Sequence, residues 1–312
     1  MNSPSLALVV IGKDSEQRLK ETYSTDLIRF LSGYVDELIY VDSCSEDRSV
    51  NLMKSLGFAV YDLSGSTYTC ASAARRVGTE VSRCDYILYL DSDMEIQSPS
   101  VFFDILGSFM NKKRGTGCVG KVVDIYPDGR SRNRVRKLGD GEVAGSFGGF
   151  VLLSRKDVLS CGNWSASLKA NEELDLHLRL RACGKKVVYL KDIEVKHYTI
   201  VVSQLSELLS LYFPTRPARY AALGKVAKRV TSFKHLAWFI RMNSEVFLLA
   251  LLLIFGSFVA YYFFAALAVF YIFYVTLVRG WKFNFVVSGL LLSLSLGLLF
   301  PVERNVVNYE SK

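Results

Sequence analysis

The chain has 312 residues, 50% of them hydrophobic, and a formal net charge of +8. This length allows one large domain or two modest ones. The basic excess is clustered in residues 130–137 and 216–241. Nothing resembles a nucleic-acid module, which argues against a nucleic-acid partner, and an apolar stretch follows the second cluster, which favours anionic lipid head groups there.

The cysteines and the N-terminus exclude two further classes of protein. None of the six cysteines forms a C-x-x-C pair, so we expect reduced thiols, with neither a zinc site nor a disulfide framework. No basic region precedes the first apolar run, so the N-terminus is not read as a signal peptide. Residues 6–11 are instead predicted to form the first strand of a domain.

Apolar runs alternate with amphipathic stretches over the first third of the chain. The runs predict strands at 6–11, 37–41, 58–61 and 84–90, and the stretches predict helices at 18–33, 47–56, 71–81 and 101–110. This alternation predicts an α/β fold with a doubly wound, mostly parallel sheet flanked by helices. Because crossovers place all carboxyl ends on one side, the acidic residues after these strands should share one rim: Asp14, Asp42, Asp91 and Asp93.

The next ninety residues complete this domain near Tyr198. We predict strands at 117–123, 186–190 and 193–197, a helix at 170–183, and a tight Pro-Asp-Gly turn at 126–130. A glycine-rich loop at 145–153 should let backbone approach a neighbouring group before it becomes a strand. Alternation would put Arg130, Arg132, Arg134 and Arg136 on one strand face. There they could bind an anionic acceptor or lipid head groups, or form a solvated basic loop.

The remainder of the chain has the pattern of a membrane protein. We divide the chain into a domain at 1–198, an interfacial amphipathic basic segment at 199–243, transmembrane helices at 244–302 and a short tail at 303–312. Residues 246–278 carry no charge and would measure about 50 Å as one helix, against a hydrocarbon core of about 30 Å. Two or three spans are possible. We favour three, because three keep both 216–241 and Arg279 on the cytoplasmic side.

The segment at 86–93 is the strongest chemical signal. A buried strand runs into Asp91 and Asp93, one residue apart, at the sheet edge where open α/β sheets bind ligands. Two carboxylates with this spacing suit a hard divalent cation that also takes phosphate oxygens. They can equally be turn residues or helix caps.

Several motifs in order resemble the family-2 inverting glycosyltransferases with a GT-A (Rossmann-like) fold. V-D-S-C-S-E-D-R-S at 41–49 resembles the family's V-D-S-x-S-T-D-x-[ST], and 86–93 matches its strand and D-x-D. A-R-R-V-G at 74–78 resembles A-R-N-x-G, with Arg76 replacing the Asn. E-E-L-D-L-H-L-R at 172–179 resembles E-D-x-D-L-x-x-R, with Glu173 replacing the Asp. The first loop, at 11–14, lacks the family's Pro and Asn-Glu.

The resemblance implies a nucleotide-diphosphate sugar donor and a role for each motif. It implies nucleotide-binding residues, with Asp42 on the base or ribose: Asp14, Asp42, Arg75, Asp91 and Ser92. It implies Mg²⁺ or Mn²⁺ held by Asp91, Asp93 and His197, where many members have a histidine that faces metal and diphosphate. It implies Glu173 as the catalytic base, with Glu172 and Asp175 as alternatives.

Each of these residues also has an ordinary structural interpretation. Glu172 and Glu173 can be first-turn acids favoured by the helix dipole. Arg75 can be a solvated helix residue, Asp42 a turn residue and His197 a surface or capping histidine.

With the tail, the motifs predict a multi-pass protein of the cell membrane with a cytoplasmic catalytic domain. It would transfer a sugar to a lipid-linked or glycolipid acceptor. The alternatives are a polyprenyl-phosphate sugar synthase, for which no strong base would be required, and an inactive nucleotide-sugar-binding scaffold.

Overall fold

The computed structural model describes residues 3–112, 115–134, 139–142, 144, 147–199 and 222–230, with short pieces at 236–237, 239–240, 247–248, 251–252, 268–274 and 310–311. The chain divides into two compact units, residues 1–200 with 304–312, and residues 201–303.

The first unit alternates strands with helices. Its strands are β1 (Leu6–Gly12), β2 (Glu37–Asp42), β3 (Ala59–Asp62), β4 (Tyr86–Asp91), β5 (Met94–Ile96), β6 (Gly117–Ile125), β7 (Ser131–Asn133), β8 (Val151–Ser154), β9 (Val187–Tyr198) and β10 (Glu310–Ser311). Its helices are α1 (Glu16–Thr22), α2 (Thr25–Leu31), α3 (Ser49–Ser55), α4 (Ala71–Val81), α5 (Pro99–Lys112), α6 (Arg155–Ser160) and α7 (Glu172–Ala182). In the second unit, α8 spans Ala222–Ala227.

The sheet is mixed, with the strand order β10-β3-β2-β1-β4-β8-β6-β9-β5 and with β7 paired to β6. The first four strands are parallel, as predicted. Beyond them, β8 runs antiparallel to both β4 and β6, so the predicted mostly parallel arrangement is wrong for this half. Strands joined without a crossover helix can pair antiparallel, and no described helix separates β6 from β8.

Strand β1 is buried on both faces of the sheet, as its continuous apolar sequence predicts. Leu6, Leu8 and Val10 pack into the cluster that includes Leu19 of α1 and Phe102 of α5. The alternate residues of β1 pack on the other side with the small side chains of α4. The two apolar layers hold the carboxyl ends of β1, β2 and β4 in register.

Two predicted elements differ from the observed ones. The predicted helix at 18–33 is broken into α1 and α2, because the chain is extended at Ser24, whose Oγ accepts a hydrogen bond from the Leu27 amide and caps α2. The two predicted last strands form one long strand, β9, whose pairing with β6 shifts register between Val119 and Lys121. That irregularity lets one strand continue where the sequence pattern suggested a break.

The membrane segments predicted at 199–243 and 244–302 lie mostly outside the described residues. Within the described part of the chain, no helix has the length and apolar character that a membrane crossing requires. Arg136, the last of the four alternating arginines, also lies outside the described residues.

Candidate active site

Sheet register brings the predicted acidic residues to one rim. Ile11 of β1 pairs with Asp91 of β4, and Gly12 pairs with Asp42 of β2. The two aspartates therefore flank the end of β1 on either side. The expectation that they share one edge of the sheet is confirmed.

A buried guanidinium joins this rim to the start of α7. Arg75, on α4, is 1% exposed. Its Nη2 donates to Asp91 Oδ1 at 2.7 Å, and its Nη1 donates to Glu172 Oε1 at 3.0 Å and to Glu173 Oε1 at 3.4 Å. The interpretation of Arg75 as a solvated helix residue is wrong. One cation holds the D-x-D and the E-E-L-D segments together.

The environment of this cluster sets the protonation of Glu173. Burial, together with the charge of Glu172, raises the pKa of Glu173 to about 7, although Arg75 opposes the rise. For Arg75 itself, burial would lower the pKa, but Asp91, Glu173 and Glu172 outweigh it and raise the pKa. A carboxylate with a pKa near neutrality is suited to general base catalysis. Being a first-turn acid of α7 does not conflict with that role.

Asp91 is enclosed by backbone as well as by Arg75. A Cβ at Gly149 would lie 1.9 Å from Asp91 Oδ2, so any other residue at this position must displace that carboxylate. The glycine-rich loop does approach a neighbouring group, as the sequence predicts. Burial raises the pKa of Asp91, which Arg75 partly opposes.

Asp93 faces His197 across the start of β5. The two side chains meet with 3.3 Å between His197 Nε2 and Asp93 Oδ2. The other carboxylate oxygen, Asp93 Oδ1, is buried and has no hydrogen-bond partner among the described residues. Burial alone would lower the pKa of His197, but the hydrogen bond and charge of Asp93 outweigh it and raise the pKa.

His197 Nδ1 faces Asp124, with Oδ1 at 2.8 Å, and Arg134 Nε donates to the same oxygen at 2.7 Å. The surface-histidine interpretation is therefore wrong.

The loops after β1 and β2 are bound to each other. Asp14 accepts a hydrogen bond from the Glu46 amide at 2.7 Å, and its own amide donates to Ser45 Oγ. Ser92 Oγ lies 2.7 Å from Ser15 Oγ, which ties the D-x-D turn to the same loops. These bonds hold the loops of the rim together.

Asp42 is 0% exposed, and its carboxylate accepts from Ser45 Oγ and from the Ser45 amide, each at 2.6 Å. It orders its own turn, as the structural interpretation predicts. A nucleotide contact by Asp42 stays a prediction and requires this turn to open.

Asp175, an alternative base, is engaged elsewhere. Its Oδ2 accepts from Ser165 Oγ at 2.5 Å and from Arg179 Nη2 at 2.7 Å, and the residue is 1% exposed. These contacts fasten α7 to the preceding loop. They favour Glu173 over Asp175 as the base.

Two residues of the site, Trp164 and Asp124, were not found from the sequence, and the contacts of Arg76 were not predicted. Trp164 lies fully buried beneath Arg75, with the guanidinium carbon 5.2 Å from the ring centroid. Arg76, which replaces the family Asn, donates to the Trp164 carbonyl oxygen at 3.1 Å and pairs with Glu80. Asp124 sits in β6 behind His197. The sequence offered two signals for these residues: Trp164 is the single tryptophan of residues 1–198, and Asp124 interrupts an apolar strand.

The residues that fit a divalent cation are Asp93 and His197. Among the described residues, no group of three or more His, Cys, Asp or Glu side chains is arranged to hold a metal. Asp91, the third predicted ligand, is bonded to Arg75. The Asp93 carboxylate, whose Oδ2 lies 3.3 Å from His197 Nε2 and whose buried Oδ1 has no hydrogen-bond partner among the described residues, nevertheless forms a mixed O and N donor pair with that imidazole.

Comparison with known proteins places this rim in a family. The model of glycosyl transferase family 2 matches residues 8–174, more than half of the chain. No curated protein matches the sequence.

Two crystal structures are similar in fold. GalNAc-T7 with UDP, GalNAc and Mn²⁺ has a TM-score of 0.54 at 13% identity, over 78% of this chain and 51% of that protein. S. aureus TarS 1-349 in complex with UDP-GlcNAc has a TM-score of 0.55 at 14% identity, over 72% of this chain and 66% of that one. The chain thus spans between 51% and 66% of these proteins.

Proposed function

The chain belongs to glycosyl transferase family 2, and from that premise we propose that it moves a sugar, with inversion, from a nucleotide-diphosphate donor to a lipid-linked or glycolipid acceptor. The observation that supports this proposal is that Arg75 forms ion pairs with both Asp91 and Glu173. In the proposed site, Asp91 lies on the donor side and Glu173 lies on the acceptor side. These contacts support a site in which the leaving group and the base lie around one buried cation. The crystal structures of similar fold contain UDP or UDP-GlcNAc, so uridine nucleotides are the first donors to test.

In the proposed reaction, an acceptor hydroxyl attacks the anomeric carbon of the donor sugar. The new carbon–oxygen bond forms as the bond to the diphosphate breaks, and Glu173 takes the hydroxyl proton. A bound Mg²⁺ or Mn²⁺, held by Asp93 and His197, would supply charge neutralisation of the departing diphosphate. Arg75 keeps Glu173 and Asp91 in place, and burial, together with the charge of Glu172, keeps the pKa of Glu173 high.

The acceptor and the location are proposed mainly from the sequence of residues 199–302. The basic segment at 199–243 and the apolar stretches that follow it are typical of a protein held at the bilayer, with its catalytic domain on the cytoplasmic face. On the hairpin of β6 and β7, Arg130 and Arg132 are exposed and suit an anionic head group. Because the acceptor of a polyprenyl-phosphate sugar synthase is a lipid phosphate, these exposed arginines support that enzyme as the second candidate function.

The test uses the full chain in lipid vesicles with a panel of nucleotide sugars, and it measures both nucleoside-diphosphate release and the lipid product by mass spectrometry. We expect turnover that Asp93→Ala and Glu173→Gln abolish while both variants still insert in membranes. Wild-type activity in both variants would refute the assignment of Asp93 and Glu173 to the active site.

A sugar on a lipid monophosphate, formed undiminished by Glu173→Gln, would support the synthase. Donor binding by calorimetry, without any diphosphate release, would support an inactive scaffold.

A further inference from the structure

The ring of His197 lies between two carboxylates, Asp93 in the turn between β4 and β5 and Asp124 in strand β6. Asp93 Oδ2 is 3.3 Å from Nε2, and Asp124 Oδ1 is 2.8 Å from Nδ1. Asp124 is directly opposite His197 in the parallel pairing of β6 with β9, so sheet register fixes their separation. The pair of Asp124 and His197 therefore belongs to the sheet, whereas Asp93 reaches His197 from the adjoining turn.

The two ring nitrogens have different neighbours, and this decides what His197 can bind. An imidazole nitrogen binds a cation only through its lone pair, so a metal on Nε2 requires the ring proton on Nδ1. That proton needs an acceptor, and Asp124 Oδ1 is within hydrogen-bond distance. Arg134 Nη2, at 2.6 Å from Nδ1, could instead donate to a bare Nδ1 and would drive the proton to Nε2.

We propose that Asp124 is the positioning residue that keeps the proton on Nδ1 and turns the lone pair of Nε2 towards Asp93. Asp124 is 9% exposed, and a buried carboxylate needs charged partners, which Arg134 and the imidazole N–H supply. Arg134 fixes Asp124 through Nε. This inference rests on the proposed cation and diphosphate site, and it assigns Asp124 a role that acts through His197.

The test measures Mn²⁺ binding to the full chain in the presence of UDP by electron paramagnetic resonance. We expect nitrogen modulation from a coordinated imidazole in the wild type, lost in His197→Gln. Asp124→Leu should lose this modulation and bind Mn²⁺ about 10–100-fold more weakly. Asp124→Asn, which keeps an acceptor oxygen, should recover part of the affinity.

A matched control and a double variant separate positioning from general damage. Asp128→Asn, in an exposed pair with Arg130 on the same hairpin, should leave Mn²⁺ binding unchanged. In the His197→Gln background, Asp124→Leu should add no further loss, because its effect passes through the imidazole. An equal loss with and without His197, or a nitrogen signal retained in Asp124→Leu, would overturn the inference.

The outcome is independent of sugar transfer. A wild-type protein that shows the nitrogen signal but transfers no sugar would refute the proposed function and leave the role of Asp124 standing. A wild-type protein without the nitrogen signal would refute that role, whatever its activity.

Discussion

Arg75 Nη2 lies 2.7 Å from Asp91 Oδ1, so a buried side chain of α4 holds the end of the central strand β4. The same guanidinium reaches Glu172 and Glu173 on α7. Segments about eighty residues apart in sequence are thus joined through one cation. Electrostatics inside the fold, as well as strand register, assemble the site.

The first prediction concerns stability. Arg75→Leu leaves three carboxylates around a buried position without their cation, and breaking such a cluster costs about 3–5 kcal/mol in the free energy of unfolding. Arg75→Lys should fall between this variant and the wild type, because one ammonium group cannot bind both Asp91 and Glu172 in the geometry of a planar fork. Urea unfolding of the full chain measures both changes. Arg29→Leu, which removes an exposed pair with Asp26, serves as the control and should unfold like the wild type.

The second prediction concerns the pH dependence of turnover. Glu173 must be ionised to accept a proton, and its pKa is about 7. We therefore expect kcat/KM of the wild type to rise through pH 7 and then level off. Glu173→Gln should lower kcat/KM by about 100-fold or more and abolish this rise. A rise that persists in Glu173→Gln would assign the titration to another group.

The third prediction is the stability counterpart of the same shift. A carboxyl whose pKa is raised on folding favours the folded state below its unfolded value, 4.5, and this contribution is lost as pH rises through 7. The side chain of Gln does not ionise, so Glu173→Gln does not lose stability as the pH rises. At pH 8 the variant should therefore have a higher free energy of unfolding than the wild type, by on the order of 1–3 kcal/mol. The difference should vanish below pH 4.5. Urea midpoints at several pH values test this, and a less stable variant at pH 8 would contradict it.

Much of this site was predictable because local sequence and strand register determine it. The run at 86–91 identifies a strand, and parallel pairing with β1 then places Asp91 and Asp42 at one edge. The roles of Arg75 and Asp124 were not predictable in the same way. Their partners are distant in sequence, and an Arg on a helix has the same local sequence pattern whether its side chain is solvated or buried. The antiparallel β8 was missed for a related reason, since strand direction depends on the path of the loop before it.

The fourth prediction concerns the glycine that covers Asp91. A Cβ at Gly149 would come within 1.9 Å of Asp91 Oδ2 and 2.7 Å of Met94 Cε. Gly149→Ala must therefore displace Asp91, weaken its bond to Arg75 and lower UDP affinity, by about tenfold or more if one charge-assisted hydrogen bond is lost. Isothermal titration calorimetry measures the affinity. Gly107→Ala on α5, where no atom lies within 4 Å of the added Cβ, is the matched control and should bind UDP normally.

The fifth prediction separates two of the three acids of α7 that the family motif left as candidates for the base. Asp175 is bonded to Ser165 and Arg179, whereas Glu173 is bonded to Arg75. Asp175→Asn should lower the free energy of unfolding by about 2 kcal/mol or more, because it weakens a buried ion pair. Its kcat, normalised to folded protein, should change less than tenfold and keep the rise through pH 7. Glu173→Gln should show the reverse pattern, folding well and turning over slowly. A collapse of kcat in stable Asp175→Asn protein would identify Asp175 as the base and leave Glu173 as a partner of Arg75 alone.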